Sequence, residues 1–599
     1  MASDNIYSYE PLSGGQFRLL QLSVYEGELV ASLHPCSVSA PWPFTALSYA
    51  WNSPGRDEIM AVGDKFLKIT KSVQEALLYL AQHVETKYLW IDGVCIDQEN
   101  LGEKNMQVPL MAEIYTRATE VIIWLGESNE LIDKAIDVTP KLNSKLERFN
   151  ERLESELLDH ALAEAGLPTG QSPIWDGFTE LYSRSWFSRL WTFQEAVLPS
   201  NVKIMCGHKL LSFDSLSSLT GLLLSTTVSR FVSRDQKSSS AVAVGYSKVM
   251  SIAMYRKAVE PYKTQLRNMS ILLSQARQWS VSKPVDRLYG MLGLSDEEVI
   301  VDYNLSPAAV YSAYARRHLM SDTDLSLLHA ASSNLTMGDL PSWCPNFNGP
   351  AEASILGGVG KEYRSGLDER TMTTYRITSD EKANTISVMG FRVDVVDKVV
   401  PSSWEKSLSP GNPPKPIRSH DFDWEEACLK LSQTVYHESE GVPRAHWQTL
   451  IADKDTKYER YQKNGKRFYA LMKITIAYSA GNKDYMESHP EDVDDLRALS
   501  DTDNLDLQDY FEAMRIACRK RQFFSTGNGR IGLGPLGTLP GDMICIFYNG
   551  YTPFIIRPHP QPNDSELYRF IGEAYVDGIM YGEALKAEDR PKDRVFVLH

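Results

Sequence analysis

The sequence predicts an α/β protein: an N-terminal, mostly parallel sheet with flanking helices, followed by a helical region and a β-rich C-terminal region. Three observations predict it. The runs Ala46–Trp51, Tyr88–Gln98 and Trp186–Glu195 are apolar and stop abruptly at polar or aromatic residues, as buried parallel strands do where they deliver side chains to a crevice at their C-terminal ends. Between residues 44 and 206, segments of strand character alternate with segments of helical period, the pattern of a parallel sheet covered on both faces. From Arg521 to Leu585, β-forming residues are punctuated by Gly527, Gly529, Gly532, Gly534, Gly537 and Gly541, the mark of strands joined by tight turns.

In chain order, Phe44–Tyr49 reads as the first strand. Glu58–Val62 and Lys65–Ile69 read as a hairpin turned at Gly63-Asp64, a favourable turn pair. Ser72 with Glu75 forms a candidate capping box, after which Val73, Ala76, Leu77, Leu80, Ala81 and Val84 recur on one helical face. Tyr88–Ile91 is a second strand ending at Asp92, Glu103–Ala118 a helix, and Val121–Leu125 a third strand stopped by Gly126. Asn129–Gly166 reads as a charged helical excursion, Trp175–Val197 as aromatic-rich helix, and Val202–Cys206 as a further strand. The first domain is expected over 1–215, with its core blocks at 40–200. A mainly helical region follows over 216–370, then mixed strand and helix over 371–483. Residues 484–510 hold ten acidic residues and one basic residue, Arg497, and read as an acidic loop or linker because such a composition buries little. Residues 511–599 form the β-rich region.

At 599 residues the chain holds about two to four domains. Its 43% hydrophobic and 23% charged residues are ordinary for a soluble globular protein. A net charge of −15 with no opposing basic stripe argues against a nucleic-acid partner. Asp4 and Glu10 in a start without an apolar core argue against a signal peptide. Runs such as Leu222-Leu223-Leu224 are too short to span a bilayer, so no membrane partner is expected. The seven cysteines are scattered without a Cys-x-x-Cys pair, which fits a reducing compartment and argues against structural zinc. A cytoplasmic location is the expectation.

The three blocks Ala46-Leu47-Ser48-Tyr49-Ala50-Trp51, Tyr88 to Gln98 and Trp186 to Glu195 resemble the fungal heterokaryon-incompatibility (HET) domain, whose pattern reads LSYxWG, LWIDxxCINQ and RxWTxQE. Asp286–Leu294 and Leu340–Pro345 resemble segments that follow this domain in many members, and Gly541-Asp542, Pro553-Phe554 and Gly572–Val576 resemble a common C-terminal segment. Two departures stand at loops of the crevice: Asn52 replaces the usual glycine, and Asp97 the usual asparagine. HET domains look like distant relatives of Toll/interleukin-receptor (TIR) domains, so the resemblance implies a flavodoxin/TIR-like fold. Several TIR domains cleave NAD at the nicotinamide–ribose bond with a glutamate four residues after a tryptophan, a spacing repeated by Trp191 and Glu195.

By that resemblance Glu195 is the expected catalytic residue. Strand-end logic adds Asp92 as its helper, and puts Tyr49, Trp51, Gly126 and Glu127 in the same crevice. Tyr49 or Trp51 would stack on a ring of the ligand, and Arg189 would pair with a diphosphate or with Glu195. Trp191 shares a helix face with Glu195. Each has a structural alternative. Glu195 can pair with Arg189 or Arg184, Asp92 can satisfy loop amides, and Trp51 and Trp191 can be core. Asp97 and Gln98 read as bonded to the following turn, and Cys95 as a buried small hydrophobe. No metal site is expected, since His34-Pro35-Cys36 has no second ligand pair. No Gly-x-Ser-x-Gly or His-Glu-x-x-His occurs, and Gly527–Gly534 lacks the Lys-Ser/Thr of a phosphate loop.

The resemblance implies self/non-self recognition between fungal cells with programmed cell death, through an NAD hydrolase that needs no cofactor and takes NAD as substrate. Activation by homo-oligomerisation and an unidentified recognition partner go with it. The alternative is a non-catalytic signalling module working by homotypic assembly, in which Glu195 is structural.

Overall fold

A computed structural model describes residues 5–25, 28–51, 55–83, 86–146, 155–232, 236–258, 262–321, 325–331, 339–349, 356, 363–367, 377–401, 419–437, 441–457, 459–559 and 567–599. Two compact units, Met1–Ser306 and Pro307–His599, make up the chain.

The first unit is built on β1 (Gln16–Tyr25), β2 (Glu28–Ser37), β3 (Phe44–Tyr49), β4 (Glu58–Val62), β5 (Lys65–Ile69), β6 (Tyr88–Trp90), β7 (Glu120–Trp124), β8 (Val202–Cys206) and β9 (Lys209–Ser212). They form one sheet in the order β5-β4-β2-β1-β6-β3-β7-β8-β9. At its centre β6, β3, β7 and β8 are parallel, with Ala46 opposite Trp90 and Val121, and Ile122 opposite Lys203. Numbered by their own chain order these four stand as 2-1-3-4, which is how the flavodoxin-like order begins. Every residue of β3 and of β7 is buried, because helices cover both faces of the parallel core. The β4–β5 hairpin turns at Gly63, whose φ of 63° is left-handed.

Several expected elements form with changed ends. The helix Lys71–His83 buries Val73, Ala76, Leu77 and Leu80 of the expected face, while Ala81 is exposed and Val84 lies outside the described residues. Its first turn is satisfied by Thr70, whose Oγ1 accepts from the Val73 amide at 3.3 Å, and not by Ser72 with Glu75. The helix begins at Lys71, so Ser72 already lies inside it. The helix expected over Glu103–Ala118 is two, Leu101–Gln107 and Met111–Arg117, joined by the single tighter turn Val108–Leu110. Pro109 lacks the amide hydrogen that would continue the first.

β1 and β2 carry no expected counterpart. Arg18 interrupts the apolar character of β1, yet it is buried because the Glu103 carboxylate meets its guanidinium at 2.6 Å. The first unit also runs past residue 215. Helices Phe213–Ser225, Gln236–Lys257, Met269–Ala276 and Asp286–Tyr289 complete its core; the Leu190 amide donates to Ser280 O at 3.0 Å and Phe193 packs on Trp279 with ring centroids 4.6 Å apart.

The second unit contains β10 (Thr378–Asp380), β11 (Thr385–Val400), β12 (Arg521–Thr526), β13 (Ile531–Pro535), β14 (Met543–Phe547), β15 (Phe554–Pro558), β16 (Leu567–Glu573), β17 (Tyr575–Val576) and β18 (Arg594–Leu598). β11, β14, β15, β16 and β18 close into a barrel. β11 serves two neighbourhoods: its first part pairs with β18 and β14, and its end, from Val396, with β12, where the register shifts between Val396 and Lys398. Such a bulge bends a strand out of one sheet and into another.

Residues 484–510 do not form the expected loop. They fall in the helices Lys483–Ser488, Pro490–Arg497 and Asp501–Cys518. The neighbouring helix Gly465–Ala480 supplies Arg467, which bridges Asp495 and Asp503 at 2.8 Å each, while Lys463 meets Asp506 and Asp509 at 2.9 and 3.0 Å. Partner cations offset the repulsion that composition alone predicts, and Leu507 and Tyr510 reach the core. Among the described residues, no helix is long and apolar enough to cross a membrane, and no cluster of three or more His, Cys, Asp or Glu is placed to hold a metal ion.

Candidate active site

The site forms where β3 and β6 end and where the helix Thr192–Val197 follows the turn Ser185–Ser188. Glu195 points from that helix to the end of β3. There the Ser48 hydroxyl donates to its Oε2 at 2.5 Å, and the Trp186 indole N–H donates to Ser48 Oγ at 2.8 Å. Glu195 is only 5% exposed. Burial, and next the negative charge of Asp92, raise its carboxyl from 4.5 to about 7, against the pull of the Ser48 hydrogen bond and of the Arg189 and Lys248 cations.

Asp92 is half-buried at the start of the turn Asp92–Cys95, its Oδ1 accepting from the Gly93 amide at 2.6 Å. Tyr49 is buried, and its hydroxyl faces the Asp92 carboxylate as a hydrogen-bond donor. Burial and the adjacent Asp92 charge hold that phenol well above its usual range. A Cβ on residue 93 would lie 2.4 Å from the Tyr49 hydroxyl oxygen, so this approach requires glycine.

The half-buried Trp51 ring has the Arg56 guanidinium 5.6 Å and the Arg189 guanidinium 5.9 Å from its centroid. Arg189 donates to Tyr49 O at 2.8 Å, and Arg184 pairs with Glu180 at 2.9 Å. Glu195 therefore takes its hydrogen bond from a serine hydroxyl and not from either arginine offered as its partner. The Trp191 side chain hydrogen-bonds the Asp286 carboxylate, which also accepts from the Tyr303 hydroxyl at 2.8 Å.

Thus Tyr49, Asp92, Arg189 and Glu195 come together, with Trp51 against Arg189 and Trp191 tied to Asp286. Gly126 and Glu127 do not join them; their backbone carbonyls accept from Gly207, Arg184 and Cys206 instead. Asp97 accepts from the Glu99 amide at 3.2 Å, as the turn reading expects, whereas Gln98 donates to Asp92 O at 2.9 Å, reaching back to the preceding turn and not the following one; Cys95 is wholly buried. Asn52 lies outside the described residues.

Four groups at the site were not singled out from the sequence. Ser48 and Trp186 stand inside the first and third blocks, and Asp286 opens the segment Asp286–Leu294, so their position was the available signal. Lys248 had none. It sits mid-helix, 0% exposed, donating to Arg189 O at 2.6 Å and lying 3.8 Å from the Trp279 centroid. Burial drives its ammonium well below the usual lysine range, while the Glu195 charge opposes that fall.

A sheet with a 2-1-3-4 parallel core, carrying these blocks at its strand ends, defines the class. Residues 44–195 match the family model "Heterokaryon incompatibility protein (HET)" and residues 412–597 match "Het-6 beta-barrel domain", so the chain is similar to HET-domain proteins over both segments. Over 98% of its length it is 25% identical to "Heterokaryon incompatibility protein 6, OR allele" of Neurospora crassa, with 98% of that protein covered. No solved structure matches the chain. The barrel match begins after β11, the strand without which the ring does not close.

Proposed function

We propose that this protein acts in fungal heterokaryon incompatibility as an NAD hydrolase, cleaving the nicotinamide–ribose bond to trigger cell death. One observation carries the reading: a buried carboxylate, Glu195, is aimed at the C-terminal end of a parallel strand, with Asp92 and aromatic faces beside it. Nicotinamide leaves NAD as a neutral molecule, so the reaction needs no general acid. The C1′–N1 bond breaks with its electron pair going to the pyridine ring. Water then adds to C1′, and ADP-ribose, nicotinamide and one proton result. Ionised Glu195 stabilises the oxocarbenium-like sugar while Asp92 takes a ribose hydroxyl. Trp51 offers a ring face for stacking. Because the carboxylate form does this work, the rate should climb with pH through about 7.

The second reading is a non-catalytic module assembling through homotypic contacts. Its support is the burial of Glu195, whose hydrogen bond to Ser48 ties β3 to the distant helix Thr192–Val197. Nicotinamide release from NAD by the purified chain, concentrated or assembled on a scaffold, separates the two. Release that is lost in Glu195→Ala supports the hydrolase; release surviving in that variant moves the catalytic role elsewhere; none from folded, assembled wild type leaves the module.

A further inference from the structure

Beside the Glu195 crevice lies a group of cations that the hydrolysis itself does not use. Lys104 and Lys283 place their ammonium groups 4.9 and 5.1 Å from the centroid of one ring, that of Tyr303. Arg56 reaches the same neighbourhood from the loop before β4, its guanidinium donating to Gly93 O at 3.0 Å and facing Trp51. Arg189 flanks Trp51 as well. None of these four has a carboxylate oxygen within 4.0 Å among the described residues. Asp286 is buried nearby and is a partial counter-charge to Lys104 and Lys283 from beyond ion-pair distance, while its carboxylate accepts from the Tyr303 hydroxyl and the Trp191 side chain. Partial burial and then the Lys283 charge lower the Lys104 ammonium, with Arg56 adding a smaller push, against the opposing pull of Asp286 and Asp92. Like charges gathered at a half-buried rim repel one another unless an anion comes between them.

We propose that Arg56, Lys104 and Lys283, with Arg189, form a subsite for the diphosphate of a dinucleotide, placed so that the sugar beyond it reaches Asp92 and Glu195; this rests on the hydrolase reading. A diphosphate supplies acceptor oxygens to both ammonium groups and to a planar guanidinium fork at once. The adjacent half-buried Trp51 ring, with two guanidinium groups near it, is suited to the flat ring of the same ligand.

Calorimetric titration of the full chain with ADP-ribose, and separately with inorganic pyrophosphate, tests this on wild type, Lys104→Gln/Lys283→Gln and Lys104→Arg, each checked for folding by circular dichroism. The double variant should bind ADP-ribose at least about tenfold more weakly, with a shallower loss of affinity as salt is raised, while Lys104→Arg keeps most of the affinity. Pyrophosphate should compete with ADP-ribose on wild type. Equal affinity in wild type and the double variant, or no binding of either anion to wild type, overturns the subsite. Nicotinamide release measured on the same samples keeps the two readings apart. Lysine-dependent ADP-ribose binding without release retains the subsite and removes the hydrolase. Release with an unchanged KM for NAD in the double variant removes the subsite and retains the hydrolase.

Discussion

Glu195 holds its proton more tightly in the folded chain than in the unfolded one, because its surroundings replace water with an aromatic wall, one hydroxyl and the charge of Asp92. Between about pH 4.5 and 7 the folded state therefore binds more protons at this residue, and its contribution to stability falls as pH rises through that window. Glu195→Gln abolishes the titration while leaving an acceptor for Ser48. Relative to wild type the variant should gain up to about 3 kcal/mol on going from about pH 5 to about pH 8, read from urea unfolding at both values. Contributions common to both proteins cancel in the difference. A pH-independent difference would show that Glu195 is not shifted.

At the scale of elements, the third block and the segment opening at Asp286 are one piece of packing. A Cβ on Gly293 would lie 2.5 Å from Ala112 Cβ and 2.9 Å from Gln194 Oε1, and one on Gly290 would lie 3.0 Å from a Leu190 methyl. Gly293→Val should thus cost about 1–3 kcal/mol by overpacking and lower the melting temperature, with Gln194, next to Glu195, displaced; an unchanged melting temperature counts against this contact. The same comparison explains which elements were legible. The helix Lys71–His83 was, since its apolar face repeats at the helical period and meets the sheet. β1 was not, because Arg18 is made acceptable only by Glu103, a partner remote in sequence. The acidic helices after Lys483 were not, because their counter-charges Lys463 and Arg467 belong to another segment.

On the scale of the molecule, the back of the candidate site is closed by residues from 216–306: Lys248 and Trp279 behind Arg189 and Phe193, and Asp286 beneath Trp191. A fragment ending at residue 215 should be unfolded or aggregated, whereas one ending at Ser306, where the first compact unit ends, should melt cooperatively. Circular dichroism during heating distinguishes them, and a cooperatively melting 1–215 would contradict the boundary. While Glu195 as the residue to test came from the family resemblance of the three site blocks, the sequence taken alone determined the parallel core, those blocks and the β-rich C-terminal region. These are set by local pattern, by runs whose burial and period recur within a few residues. Only the tertiary structure decided that Ser48 and not an arginine holds Glu195, that Lys248 is buried behind it, that the unit extends to Ser306, and that β11 closes the barrel. Each depends on groups far apart in the chain meeting in a low-dielectric interior, where the partner present decides whether a charge is tolerated.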